Sequence, residues 1–199
     1  MTVKSNKNNK NNHKNSNNKN HHNKLKSQVE EIIKKDKLVE LKKMLESNSK
    51  IYNLKLGEKE SPLLLFSVRC QSQKTFKYLL DNPKVSINGK DKEGTTALIN
   101  ACIKNNVPMV KMLVSKPKIR VNARTMYGKT GLLNAAQKGY TEVVNLLLEH
   151  GANVMLKETS RTKKSCRNRS AFNMARICGH KNIYQKLSNK KKSNSLKKK

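Results

Sequence analysis

The chain is expected to be an all-α solenoid of stacked helix–turn–helix units. Three observations predict this. First, Gly128–Val154, GKTGLLNAAQKGYTEVVNLLLEHGANV, reads as a turn, a helix, a tight reversal, a second helix and a Gly stop. Second, one such pair of helices cannot bury its own apolar face, so it should recur. It does: Thr130 has counterparts at Ser61, Thr96 and Ser170, at steps of 35, 34 and 40 residues. Third, DNPKVSIN and SKPKIRVN repeat one unit apart, and their matched Pro83 and Pro117 stop a helix at the same place.

Within the stretch, Thr130 is suited to cap its helix, because a side-chain oxygen there accepts a bond from an orphan N–H. Leu132, Ala135 and Ala136 share one face, and the alanines permit close helix approach. Gly139 follows, where a chain leaving a helix often needs positive φ. Val143, Val144, Leu146, Leu147 and Leu148 supply the second apolar stripe. The segments GKTGLLNAA, GTTALINAC and GYTEVVNLLL resemble the G-x-T-P-L-H-x-A-A and G-H-x-x-I-V-x-L-L-L motifs of the ankyrin repeat, a unit of about 33 residues. The resemblance covers Ser61 to Leu187 and implies a protein-binding scaffold.

In chain order, residues 1–26 carry seven Lys and no acid and are expected to be disordered, since they have almost no apolar side chains and repel one another. Residues 27–47 read as a degenerate first repeat. Val29, Ile32 and Ile33 form one apolar face, and Leu38, Leu41, Met44 and Leu45 another. Glu30, Glu31, Lys34, Lys42 and Lys43 give the polar outer face that a terminal repeat needs. The second unit starts at 61. It has Leu56 where the family has a turn Asp, and no Gly after its first helix, so its Gln71–Gln73 reversal should be poorly fixed. The third starts at 96, with the turn Asp91 and with Asn105 in the Gly position; Asn tolerates the left-handed conformation. The fourth starts at 130, with Thr125 in place of the turn Asp. The family's His after T-P-L is replaced by Leu64, Ile99, Leu133 and Asn173, and the Leu and Ile side chains imply apolar packing there. An insertion, residues 157–169, precedes a C-terminal cap at 170–187 and reads as a mobile basic finger. Residues 188–199 carry six Lys and no acid and are expected to be disordered.

The net charge is +31, of which the two ends and the insertion supply +18. Such a balance suits acidic or anionic partners. No apolar run reaches the 18 residues of a membrane span, and the N-terminus lacks the apolar core of a secretory signal. Cys70, Cys102, Cys166 and Cys178 are too dispersed for a disulfide framework or a zinc site. No catalytic constellation appears, so the chain is read as a non-enzyme without metal or cofactor, intracellular, in cytoplasm or nucleus.

The binding residues are therefore carried over from the resemblance, which places the turn tips and the first helices along a concave groove. They are Lys90, Lys92 and Glu93 in the third unit, and Arg124, Met126, Tyr127 and Lys129 at the fourth turn. Gln137 and Lys138 lie on its first helix, and Arg167 and Arg169 in the insertion. Exposed Met and aromatic side chains often mark interfaces. The expected function is a monomeric adaptor that offers a basic concave surface to an acidic protein. The alternative is nucleic-acid or ribosome association through the Lys-rich ends and the insertion, since phosphate contact needs only clustered cations.

Overall fold

The computed structural model describes residues 9–159 and 169–196. Five helical hairpins follow one another: α1 (Asn9–Lys34) with α2 (Leu38–Ser47), α3 (Leu63–Cys70) with α4 (Gln73–Asp81), α5 (Ala97–Ile103) with α6 (Val107–Val114), α7 (Gly131–Lys138) with α8 (Thr141–Glu149), and α9 (Ala171–Ile177) with α10 (Lys181–Leu196). Helices α3, α5, α7 and α9 pack side by side as an inner row, and α6, α8 and α10 pack in sequence as part of an outer one. The inner helices have only seven or eight residues. Helices that short are unstable alone, so their stability comes from burial. Leu98, Ala101, Leu132, Ala135, Ala136, Val144, Leu147, Ala175 and Leu187 belong to one continuous core running through the stack. Leu64, Ile99 and Leu133, which stand where the family has His, are each 1% exposed and pack as apolar core.

The caps explain where the inner helices begin and end. The amides of Ile99, Leu133 and Asn173 donate to the hydroxyls of Thr96 (3.3 Å), Thr130 (3.1 Å) and Ser170 (3.3 Å). Gly139 (φ 78°) and Asn105 (φ 53°) end their helices in the left-handed region, as the sequence indicated. Two local expectations fail. Ser61 does not cap α3; its buried hydroxyl has no hydrogen-bond partner. Its main chain belongs instead to a two-stranded antiparallel hairpin, β1 (Lys55–Leu56) with β2 (Ser61–Pro62), which the sequence reading did not anticipate. The Gln71 reversal is also well defined: Gln71 takes φ 58°, and the amides of Gln71 and Ser72 donate to the carbonyls of Val68 (3.2 Å) and Ser67 (3.0 Å).

Helix α4 is capped from the neighbouring hairpin. Its own N-cap, Ser72, gives its hydroxyl to the Ile33 carbonyl. The Asp36 carboxylate, in the α1–α2 turn, accepts from the amides of Thr75 (2.8 Å) and Lys74 (3.1 Å). Burial alone would raise the Asp36 pKa. The Thr75 and Lys74 amides, with the Lys74 charge, outweigh it and hold the carboxyl below its ordinary range. A folded pKa below the unfolded one stabilises the fold above the unfolded value, and that stability is lost as pH falls through the folded one. Asp36→Ala is therefore expected to cost about 1 kcal/mol at neutral pH, as lost caps do, and almost nothing in acid well below about pH 4. Urea melts at both pH values check this; an equal loss at both would contradict it.

The ends differ from the expectation of disorder. Helix α1 extends back to Asn9 and α10 forward to Leu196, so the boundaries placed at residues 26 and 188 fall inside helices. Residues 1–8 and 197–199 lie outside the described residues. The physical reason is cooperativity. Val29, Ile33, Ile183 and Leu187 are buried and anchor each helix. Extending an anchored helix avoids the nucleation cost. Residues 20–24 remain exposed, without core contacts, and such segments open readily. Limited trypsin digestion is expected to cut first before Leu25 and after Leu187; survival of the N-terminal segment after the repeats are cut would contradict this.

Candidate protein-interaction surface

The surface begins with how each turn is built. In the third turn, the Asp91 carboxylate accepts from the amides of Thr95 (2.8 Å) and Glu93 (2.9 Å). It is fully buried and pairs with the Arg69 guanidinium. In the fourth turn a hydroxyl does similar work at longer range. Thr125 Oγ1 accepts from Lys129 (3.2 Å) and Tyr127 (3.3 Å). Gly128 must be Gly: φ is 75°, and a Cβ there would meet the Thr159 amide at 2.7 Å.

The tips are laced into a rail by main-chain bonds. The Lys92 amide donates to the Lys59 carbonyl (3.0 Å), Met126 to Glu93 (2.8 Å) and Thr159 to Tyr127 (2.9 Å). Side chains differ along this rail. Lys59 pairs with Glu93 and Lys92 with Glu60, each at 2.9 Å, so the second and third tips cancel their charges. The Lys92 bond is the largest cause holding the Glu60 carboxyl below its ordinary pKa. At the fourth tip the residues in those two registers are uncharged, and the one ion pair nearby among the described residues is the longer Lys129–Glu158 contact at 3.6 Å. Met126 stands in the register of Lys92 and is 63% exposed; Tyr127 stands in that of Glu93 and is 47% exposed.

Of the residues expected to bind, the structure brings together Lys90, Lys92, Glu93, Arg124, Met126, Tyr127 and Lys129 along the tips. Several of them also hold the fold together. Arg124 holds the turn, donating to the carbonyls of Lys157 (2.6 Å) and Gly128 (3.4 Å). Lys129 reaches the nearly buried Glu158 carboxylate at 3.6 Å. Lys90 Nζ donates to the Arg124 carbonyl (3.4 Å). On the inner helix, Lys138 Nζ donates to the Ile103 carbonyl (3.3 Å), and the Gln137 carbonyl lies 3.1 Å from His180 Nε2. The insertion is closed at its base by the Lys157–Ser170 bridge and a 3.0 Å bond from the Glu158 amide to the Arg169 carbonyl. Arg167 and the rest of residues 160–168 lie outside the described residues. Sequence reasoning missed Lys59 and Glu60 because the second unit lacks the turn Asp. The Lys-Glu pair recurring at 59–60 and 92–93 was the available signal.

Other candidate chemistry is thin. Burial pushes the Cys102 thiol up to about 12, so it stays protonated core. Among the described residues, no three His, Cys, Asp or Glu side chains converge as a metal site, and no helix is long and apolar enough to cross a membrane. A groove of about 550 Å³ between α1 and α2 is lined by Ile32 and Met44 and by the ion-paired Glu31–Lys35 and Lys37–Glu40.

Stacked hairpins with laced tips define a helical repeat scaffold whose family serves protein–protein interaction and is typically non-catalytic. A family model for ankyrin repeats in three copies matches residues 29–125 and 66–158, and the chain belongs to the ankyrin-repeat family. A search of curated proteins found no match to the chain.

Proposed function

We propose that this protein is an intracellular adaptor that holds an acidic protein partner against its concave face, with Met126 and Tyr127 as the anchor. The observation that carries this reading is the change along the rail: two charge-cancelled tips are followed by an apolar, exposed one. The turn is held by Gly128, Thr125 and Arg124, so the fold makes no demand on the Met126 and Tyr127 side chains. Tyr buries its ring while its hydroxyl stays hydrogen-bonded, and Met adapts to an irregular surface. Lys90, bonded to the Arg124 carbonyl, brings positive charge to this turn, and Lys138 adds charge at the far end of α7.

The test is Met126→Ala with Tyr127→Ala. Helical content and melting are expected to stay as they are, while affinity for partners recovered from nuclease-treated extract falls by about 2 kcal/mol or more, as for a central anchor. Recovery of the same partners at unchanged affinity would reject the reading. Lys90→Glu with Lys138→Glu is expected mainly to slow association and weaken its salt dependence. The second reading, nucleic-acid association, is favoured by the lysines along the ends of α1 and α10. Removing residues 1–26 and 188–199 deletes thirteen lysines. If that reading holds, the slope of log affinity against log salt becomes much shallower.

A further inference from the structure

The rail has a second column of side chains beside it. Lys55, Lys90, Arg124 and Lys157 occupy the same register, one in each successive unit, immediately before Leu56, Asp91, Thr125 and Glu158. They are linked in series. Lys55 Nζ donates to the Lys90 carbonyl (3.5 Å), Lys90 Nζ to the Arg124 carbonyl (3.4 Å), and Arg124 Nη2 to the Lys157 carbonyl (2.6 Å). A carbonyl fixes the position of a cation without cancelling its charge. Among the described residues none of the four pairs with a carboxylate, whereas Glu60, Glu93 and Glu158 at the tips each have a lysine. Lys55, Lys90 and Arg124 are therefore a file of preplaced positive charges, with Lys157 next in register and a charge-cancelled rail alongside.

We infer that this column reads an extended acidic segment of the partner, lying along the solenoid axis, with one carboxylate for each repeat. The inference rests on the adaptor reading and specifies the partner chemistry. Its spacing follows from geometry. Packed helices lie about 8–10 Å apart, and a segment in the extended polyproline II conformation rises about 3.1 Å per residue and returns every third side chain to the same face. Acids at every third residue thus match the column, and an apolar residue between two of them falls beside Met126 and Tyr127. Charge complementarity favours a peptide over nucleic acid. A polyanion charged at every unit runs its surplus charges past Glu60 and Glu93, and Tyr127 is the one aromatic at these tips on which a base could stack.

The experiment uses the full chain and fluorescein-labelled peptides of roughly twelve residues, with Glu at every third position around one Leu. A peptide of identical composition, with Glu at alternate positions in one half, is the comparison. The matched peptide is expected to bind about tenfold tighter, a difference of about 1.4 kcal/mol. Lys55→Gln with Lys90→Gln is expected to abolish that preference. Lys111→Gln with Lys118→Gln, an equal charge change on α6 and the loop after it, is expected to keep it. Equal binding of the two peptides, or equal losses in the two variants, overturns the column and leaves only net charge. An oligothymidylate that displaces the matched peptide and loses affinity with the column variant overturns it in favour of nucleic acid. The Met126 and Tyr127 variant separates the two claims. If it loses its protein partners while the peptides bind alike, the column alone fails; if it keeps them, the adaptor reading fails.

Discussion

Leu147→Ala is expected to remove about 2–5 kcal/mol of stability, as truncation of large buried side chains does. Leu147 has no exposed surface, and it sits in α8 facing the small residues that let α5 and α7 approach. Its methyl group lies 3.8 Å from where a Cβ on Gly131 would stand, and the Cys102 sulfur would be 2.9 Å from the same point. Gly131, beside Leu147, has no side chain with which to fill the space that Leu147 leaves. In a solenoid each unit is stabilised mainly by its neighbours. Amide exchange should therefore accelerate in α5–α6 and α9–α10 as well as in α7–α8. A melting temperature that barely moves would place Leu147 outside the core and break the register on which every residue assignment here depends.

Asp91→Ala is expected to cost about 3 kcal/mol. The Asp91 side chain is fully buried, and the Arg69 side chain it holds is only 22% exposed. Removing one partner of a buried pair strands the other charge, and here it also strands the amides of Glu93 and Thr95. Asp91→Thr imitates the fourth turn. A threonine hydroxyl accepts both amides but does nothing for Arg69, so it should recover part of the loss. Adding Arg69→Met to Asp91→Thr should recover more, because no charge is then left unpaired. Denaturant melts of the four proteins give this order directly. If Asp91→Thr alone restores full stability, the ion pair contributes nothing and the hydrogen bonds of the turn account for the whole effect.

Much of the architecture was legible because its determinants are local. Thr96, Thr130 and Ser170 cap within three residues of themselves, and Gly139 and Asn105 reverse the chain with their own backbones. The Leu64, Ile99 and Leu133 prediction held because an apolar side chain at an interior register has one favourable destination. What stayed hidden depends on partners distant in sequence. Ser61 looked like its counterparts, yet Leu56 and Pro62 draw its backbone into a hairpin. The Asp36 carboxylate, from the turn between α1 and α2, caps α4 through amides 38 and 39 residues onward. The Lys-rich ends follow the helices to which they are joined, a consequence of anchoring that composition does not show. At the candidate site, the exposure of Met126 and Tyr127 was readable from the turn around them. The duties of Arg124 and Lys129 were not, since their acceptors, Lys157 and Glu158, belong to the next unit.

The central claim is that a protein partner contacts the tip of the fourth turn. A photo-crosslinking phenylalanine derivative placed at Tyr127 tests it most directly, because the side chain is exposed and the turn is held by other groups. The comparison is the same derivative at Asn145 on α8, on the outer row. After irradiation in nuclease-treated extract, position 127 is expected to yield a discrete crosslinked protein that an acidic period-three peptide competes away, and position 145 is expected to yield none. Crosslinks of equal yield from both positions, or crosslinks from 127 that disappear with nuclease treatment, would contradict the account.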